Sequence, residues 1–265
     1  MARVAVVTGA GRGFGSEIAL RLAGRGYEVL CTDIDEQAAA RTAERVGGFS
    51  QALDVRDPDA HRAAAHAASE RGPLEVWVNN AGVLRTVKAW EHPDDEVRLL
   101  VEVNLLGVIY GTRAAVEVMR SGAGGNRHIV NMASLSALSP VPGLAVYAAS
   151  KHGVLGFTTS LQGDLHRAGI PITVHAVCPD GADTDMVRER SGDDDSAIIW
   201  SAPRLLRADE VAQRVVSLLD SQELVAVIPR WRGWAARGTS MLGRHAMHGA
   251  DAVHRYGRRR RARTG

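Results

Sequence analysis

The strand-like run Val4–Val7 opens directly into Thr8-Gly9-Ala10-Gly11-Arg12-Gly13-Phe14-Gly15, and a helical pattern starts inside that loop. Glycines alone say little, but a strand before and a helix after give each one a physical task. Gly9 permits a sharp turn, Gly13 lets backbone approach a pyrophosphate, and Gly15 allows the helix to pack closely on the strand. The first amides of the helix have no partners within it and attract anionic phosphate, with Arg12 and Phe14 in the same loop. A chain that begins this way is constrained to open as a βαβ unit that holds a dinucleotide.

The remainder continues the alternation. Short β-branched runs at Val4–Val7, Glu28–Thr32, Ser50–Leu53, Glu75–Asn79, His128–Asn131, Thr173–Val177 and Val225–Ile228 predict strands. Between them Gly13–Arg25, Glu36–Val46, Pro58–Arg71, Asp94–Arg120 with a break near Asn104, and Val146–Arg167 predict helices. This pattern predicts a doubly wound α/β fold, a parallel sheet covered by helices on both faces. A length of 265 residues lies near the upper limit of one hydrophobic core, so one large domain over residues 1–228 is expected, followed by an extension over residues 229–265. A glycine and acidic run at Ser191–Asp195 reads as a linker.

Asp33 ends the second strand, eighteen residues beyond Gly15, where a carboxylate accepts from both hydroxyls of an adenosine ribose. A 2′-phosphate would meet it as a like charge, which predicts NAD over NADP. Arg12 could reach a 2′-phosphate from the loop, or lie solvated on the surface. Asp54 and Val55 follow the third strand and are candidates for the adenine pocket, although a helix N-cap is the competing use and Asp57 is better placed for it. Asn79-Asn80-Ala81-Gly82 follow the fourth strand at the same carboxyl edge, where ligands of open α/β sheets bind.

Tyr147 and Lys151 lie four residues apart in a helical segment and share one face. A free phenol ionises near pH about 10, so proton exchange near neutrality needs a neighbouring cation. Lys151 is one of only two lysines, the other being Lys88, among thirty-two basic residues. Where arginine serves nearly everywhere, a lysine beside a tyrosine points to a site that needs a compact ammonium. Ser134 follows the fifth strand and could polarise a carbonyl, with Ser136 and Ser139 as competitors.

Together these motifs resemble the short-chain dehydrogenase/reductase family over roughly residues 3–228: the glycines at 9, 13 and 15, Asn79-Asn80-Ala81-Gly82, Asn104, Ser134 and Tyr147-Ala148-Ala149-Ser150-Lys151, in order. The resemblance implies a seven-stranded sheet in the order 3-2-1-4-5-6-7. It implies Tyr147 as general acid/base, Lys151 lowering its pKa and holding the nicotinamide ribose, Ser134 bonding the reacting oxygen, and Asn104 helping to hold a water. Asn80 would stabilise the central strand loop, and Pro179, Gly181 and Thr184 would meet the nicotinamide end. The chain departs from the family at Cys178-Pro179-Asp180-Gly181, where the usual proline then glycine is split by Asp180. The same resemblance assigns Asp185–Pro203 to covering the substrate and implies a homo-oligomer, dimer or tetramer.

Met186, Ile198, Ile199 and Trp200, with Leu135, Leu138, Val141 and Leu144, predict a hydrophobic or alicyclic alcohol or ketone as substrate. Cys31 and Cys178 sit in apolar strand-like runs and read as buried free thiols, and no metal site is expected. No run of 18 apolar residues occurs, and the start is a strand and not a signal peptide, which predicts a cytoplasmic protein. Residues 229–265 carry ten arginines and one aspartate, a charge of +9 against −7 for the rest. A partly disordered solvated tail is the favoured reading of that segment; contact with an acidic neighbouring subunit or an anionic membrane is left open, and nucleic acid is not expected. The rival to an enzyme is a dinucleotide-binding sensor without turnover.

Overall fold

A computed structural model of the chain describes residues 2–121, 125–190, 192–241 and 255–260. Seven strands, β1 (Arg3–Thr8), β2 (Tyr27–Asp33), β3 (Phe49–Ala52), β4 (Leu74–Asn79), β5 (Arg127–Met132), β6 (Ile172–Pro179) and β7 (Val225–Ile228), form one sheet. Their order is β3-β2-β1-β4-β5-β6-β7, and all pairs are parallel. Parallel strands need crossovers, and the helices supply them: α1 (Gly13–Gly24), α2 (Glu36–Val46), α3 (Pro58–Arg71), α4 (Asp94–Val101), α5 (Gly107–Ser121), α6 (Ala145–Arg167), α7 (Asp185–Arg188) and α8 (Ala208–Ser217). A further helix, α9 (Arg230–Met241), follows the last strand.

The strands lack polar alternation because both faces are covered. β1 buries Val4 and Val6 against α3 and α5 on one side, and Ala5 and Val7 against α1 and α8 on the other. Helix starts follow local chemistry. Asp35 caps α2 by accepting from the Ala38 amide, and Asp57 caps α3 ahead of Pro58. Asp57 thus takes the capping role and leaves Asp54 to other partners.

The break expected near Asn104 is a wide turn, not an interruption: Glu102–Leu106 winds as a π-helix joining α4 to α5. Cys31 and Cys178 are buried free thiols, each pushed up to about 12 by burial, so neither is a ready nucleophile. The solvated tail is corrected in its first part, since residues 230–241 form α9 and bury Gly233 and Ala236. Gly233 packs so closely on β7 that a Cβ there would stand 2.9 Å from Val227. Residues 255–260 are also helical; the rest of the arginine run lies outside the described residues.

Candidate active site

β1 lies between β2 and β4, so the crossovers leave it in opposite directions and a cleft opens above its carboxyl end. Loops after β1 to β6 all line one cavity of about 760 Å³. Gly9 and Gly13 have φ of +63° and +57°, which side chains disfavour. A Cβ on Gly9 would stand 2.7 Å from the Ala81 Cα, while one on Gly15 would overlap the Gly9 carbonyl oxygen. Gly15 is therefore a packing residue beneath the cleft and lines no part of it. Asn80 fixes the loop from β4, its amide donating to the carbonyls of Thr8 at 3.0 Å and Gly9 at 2.9 Å. A Cβ on Gly13 would meet only Thr184, at 4.0 Å, and no side chain caps the start of α1, whose first amides are left for another partner.

Asp33 stands where expected, its carboxylate accepting from the Gly11 amide at 2.9 Å and the Asp35 amide at 3.1 Å. Those two bonds aim it into the cleft beside Ile34, an exposed residue that sequence reasoning passed over. Arg12 also lines the cleft but directs its guanidinium to Glu189 at 3.4 Å and Asp185 at 3.8 Å on and beside α7. Asp54 and Val55 line the cavity beyond β3, where Asp54 is paired with Arg56, whose guanidinium holds its carboxyl below the usual range. Arg56 carried no sequence signal beyond its neighbour. Phe14, Ala81, Gly82, Pro179 and Gly181 all line the same cavity.

Deeper in the cleft, Ser134 follows β5 with its hydroxyl accepting from the Ser136 amide at 3.2 Å, and it lies near enough to Tyr147 to act on its phenol. Ser136 and Ser139 line the cleft too, but of the three Ser134 is the one that acts on the Tyr147 phenol. Tyr147, on the first turn of α6, is half-buried; burial pushes its phenol up to about 12 although the Ser134 hydroxyl opposes this. Lys151, one turn on, is 4% exposed, and burial draws its amine down to about 8. Its Nζ donates to the Met132 carbonyl at 2.8 Å and lies 5.8 Å from the Tyr147 ring centre. Desolvation is the largest influence on both groups, opposed at the phenol by Ser134 and at the amine by Cys178. Asn104 is fully buried, its side chain clamping Val83 through N–H and C=O at 2.8 and 2.9 Å and donating weakly to Ser150 at 3.4 Å.

The far end is apolar. Leu84, Leu144 and Val187 form a cluster joined by Val141, Tyr147, Met186, Ile198, Ile199 and Trp200. Leu138, expected there, packs instead behind the wall with Val154 and Ala236. Asp180 is only 7% exposed at its side chain and is paired with Arg232 of α9, Nε to Oδ2 at 2.6 Å. Sequence reasoning saw the odd aspartate but not its partner. Among the described residues no group of histidines, cysteines and acids could hold a metal.

Fold and cleft define a Rossmann-type, nicotinamide-dinucleotide-binding oxidoreductase. The comparisons agree: the family model for short chain dehydrogenase matches residues 3–195, and the chain belongs to the short-chain dehydrogenase/reductase family. The 3-oxoacyl-[acyl-carrier-protein] reductase FabG of Escherichia coli is 33% identical over 225 residues, covering 83% of this chain and 91% of that protein. The oxidoreductase EphD of Mycobacterium tuberculosis is 37% identical over 188 residues, 68% of this chain but 31% of EphD, so the chain matches about a third of that relative's length. Among solved structures, a family member from Burkholderia phymatum in complex with NAD superposes with a TM-score of 0.80 at 28% identity, covering 89% of this chain and 92% of that one. A variant actinorhodin polyketide ketoreductase with NADPH gives 0.77 at 32% identity, covering 88% and 97%.

Proposed function

We propose that the protein is an NAD(H)-dependent dehydrogenase/reductase that interconverts a secondary alcohol and a ketone on a hydrophobic or alicyclic substrate. The observation that carries this reading is Tyr147 beside Ser134, with buried Lys151 one helical turn on, set where the glycine cleft meets an apolar wall. The cleft fits a dinucleotide because the glycine loop is held close against the β4 loop, where side chains at Gly9 and Gly15 would collide, and no side chain caps the start of α1. When bound, the dinucleotide supplies the site that gives or takes hydride.

The chain's own residues do the rest. Tyr147 moves a proton between its Oη and the substrate oxygen, and Ser134 donates to the same oxygen as charge develops on it. A phenol at about 12 is a strong base once ionised but a scarce one. Ionisation therefore depends on positive charge reaching the closed site, from protonated Lys151 and from the oxidised cofactor. Asn104 has its side-chain amide engaged by Val83 and Ser150, so that side chain fixes the loop after β4 against α6. Asp33 supports NAD, since a 2′-phosphate against a fixed carboxylate costs on the order of a few kcal/mol and Arg12 is turned toward Asp185 and Glu189.

A panel of hydrophobic secondary alcohols run with NAD and NADP in parallel tests this reading. NAD should lead by about 100-fold in kcat/KM, a few kcal/mol of discrimination. Tyr147→Phe should bind NADH as the parent does while turnover falls by about 10²–10⁴-fold. Survival of turnover in that variant refutes the mechanism, and equal use of NADP refutes the role of Asp33.

A further inference from the structure

Residues 194–201 wind as a 3-10 segment over the substrate end of the cleft, with Ile198, Ile199 and Ser201 on its wall. This cover is seated on two glycines. A Cβ on Gly143 would stand 2.6 Å from the Asp195 carbonyl oxygen, and one on Gly181 would overlap that of Ile199. The displaced glycine of the Pro179-Asp180-Gly181 turn is therefore needed where it stands. From outside, the extension grips the same segment. Gly257 lies against the Ala197 carbonyl, where any side chain would collide, and the Arg260 guanidinium donates to the Ala202 carbonyl.

Arg232 joins the two sides. From α9 its Nε and Nη2 donate to Asp180 at 2.6 and 3.4 Å, and Nη2 also donates to the Ser201 hydroxyl at 2.9 Å. Asp180 additionally accepts from the Gly181 amide at 2.9 Å. A carboxylate 7% exposed is costly unless paired and fully hydrogen-bonded, and these bonds meet that need. Arg232, Ala235 and Ala236 of α9 themselves line the cavity. We propose that Arg232 is a positioning residue of the substrate site: held on Asp180, it fixes the end of the cover through Ser201, so that the C-terminal extension completes the wall that binds the substrate. The inference rests on the oxidoreductase reading for its substrate.

Variants of the full chain test it with two readouts. In Arg232→Met, trypsin should cut between residues 188 and 207 about tenfold faster with NADH bound, because the cover opens more often. KM for a hydrophobic alcohol should rise about tenfold while kcat changes less than about threefold, the signature of lost substrate binding without lost chemistry. Arg232→Lys should restore part of the KM. The double variant Asp180→Asn/Arg232→Met should be less impaired than Arg232→Met alone, because no unpaired carboxylate is left buried. Unchanged cleavage and KM in Arg232→Met, or effects of the two substitutions that simply add, would overturn the proposal. If Arg232→Met does not fold, Gly257→Val carries the test, pushing the cover from outside: faster cleavage and a higher KM support the buttress, and no change refutes it. The trypsin readout needs no turnover, so failure of the oxidoreductase reading is seen separately.

Discussion

Tyr147 and Lys151 are driven toward their neutral forms by the same burial, the phenol up to about 12 and the amine down to about 8. The lysine's shift has a consequence for stability with a definite sign. Its folded value lies below the 10.5 of the free group, so between about pH 8 and 10.5 the unfolded chain holds a proton that the folded chain has lost. Stability from this group therefore rises with pH across that window. Urea unfolding at two pH values, about 7.5 and 9.5, should show the parent gaining on the order of 2 kcal/mol relative to Lys151→Met. A constant difference between the two proteins would mean that the amine is not desolvated. At this scale the sequence was a good guide to positions and a poor one to electrostatics. Residue spacing placed Tyr147, Lys151 and Ser134 together, but how far each is withdrawn from water depends on distant elements packing around them. Arg232 shows the same limit from the other side, since no local pattern links it to Asp180, fifty-two residues earlier.

Elements were legible where propensity and periodicity agreed and illegible where tertiary contacts hold a helix in place. All seven strands fall where β-branched runs predicted them, within a few residues. In contrast α9, Arg-Trp-Arg-Gly-Trp-Ala-Ala-Arg-Gly-Thr-Ser-Met, contains two glycines and reads as a weak helix former. Its order comes from Gly233 and Ala236 docking on β7 and the wall beyond it, contacts that no window of sequence displays. α5 makes its own approach through a glycine. A Cβ at Gly111 would overlap Asn79 Oδ1, which accepts from Trp77 Nε1 at 2.7 Å, in a network where Asn79 donates to Thr112 and Asn131. Gly111→Ala should improve helix propensity and still lower unfolding free energy by about 1–3 kcal/mol, because overpacking beside a buried polar network outweighs the backbone gain. Chemical denaturation measures the sign directly; a more stable variant would show that α5 can lift from the sheet at little cost.

Across the whole molecule, the charge is divided between a body at −7 and a C-terminal segment at +9, yet the described parts of that segment fold back onto the body. Arg232 pairs with Asp180 across that junction, while close packing at Gly233 and Gly257 sets the geometry. The stretch Asp94–Ser121 is long and apolar enough to cross a membrane by composition, but half of its most apolar window is buried inside the fold. Leu106, Ile109 and Tyr110 on it remain half-buried, a surface suited to a second copy of the chain, and we propose a dimer or tetramer on that ground. Light scattering should give a mass of two or four chains of 28.3 kDa, and a monomer would rule the proposal out. Because the roof of the substrate chamber rests on main-chain oxygens that only hydrogen-sized side chains can approach, attempts to broaden substrate range should leave positions 143, 181 and 257 alone. Trimming Ile198 or Ile199 instead enlarges the room beneath without prising off its lid.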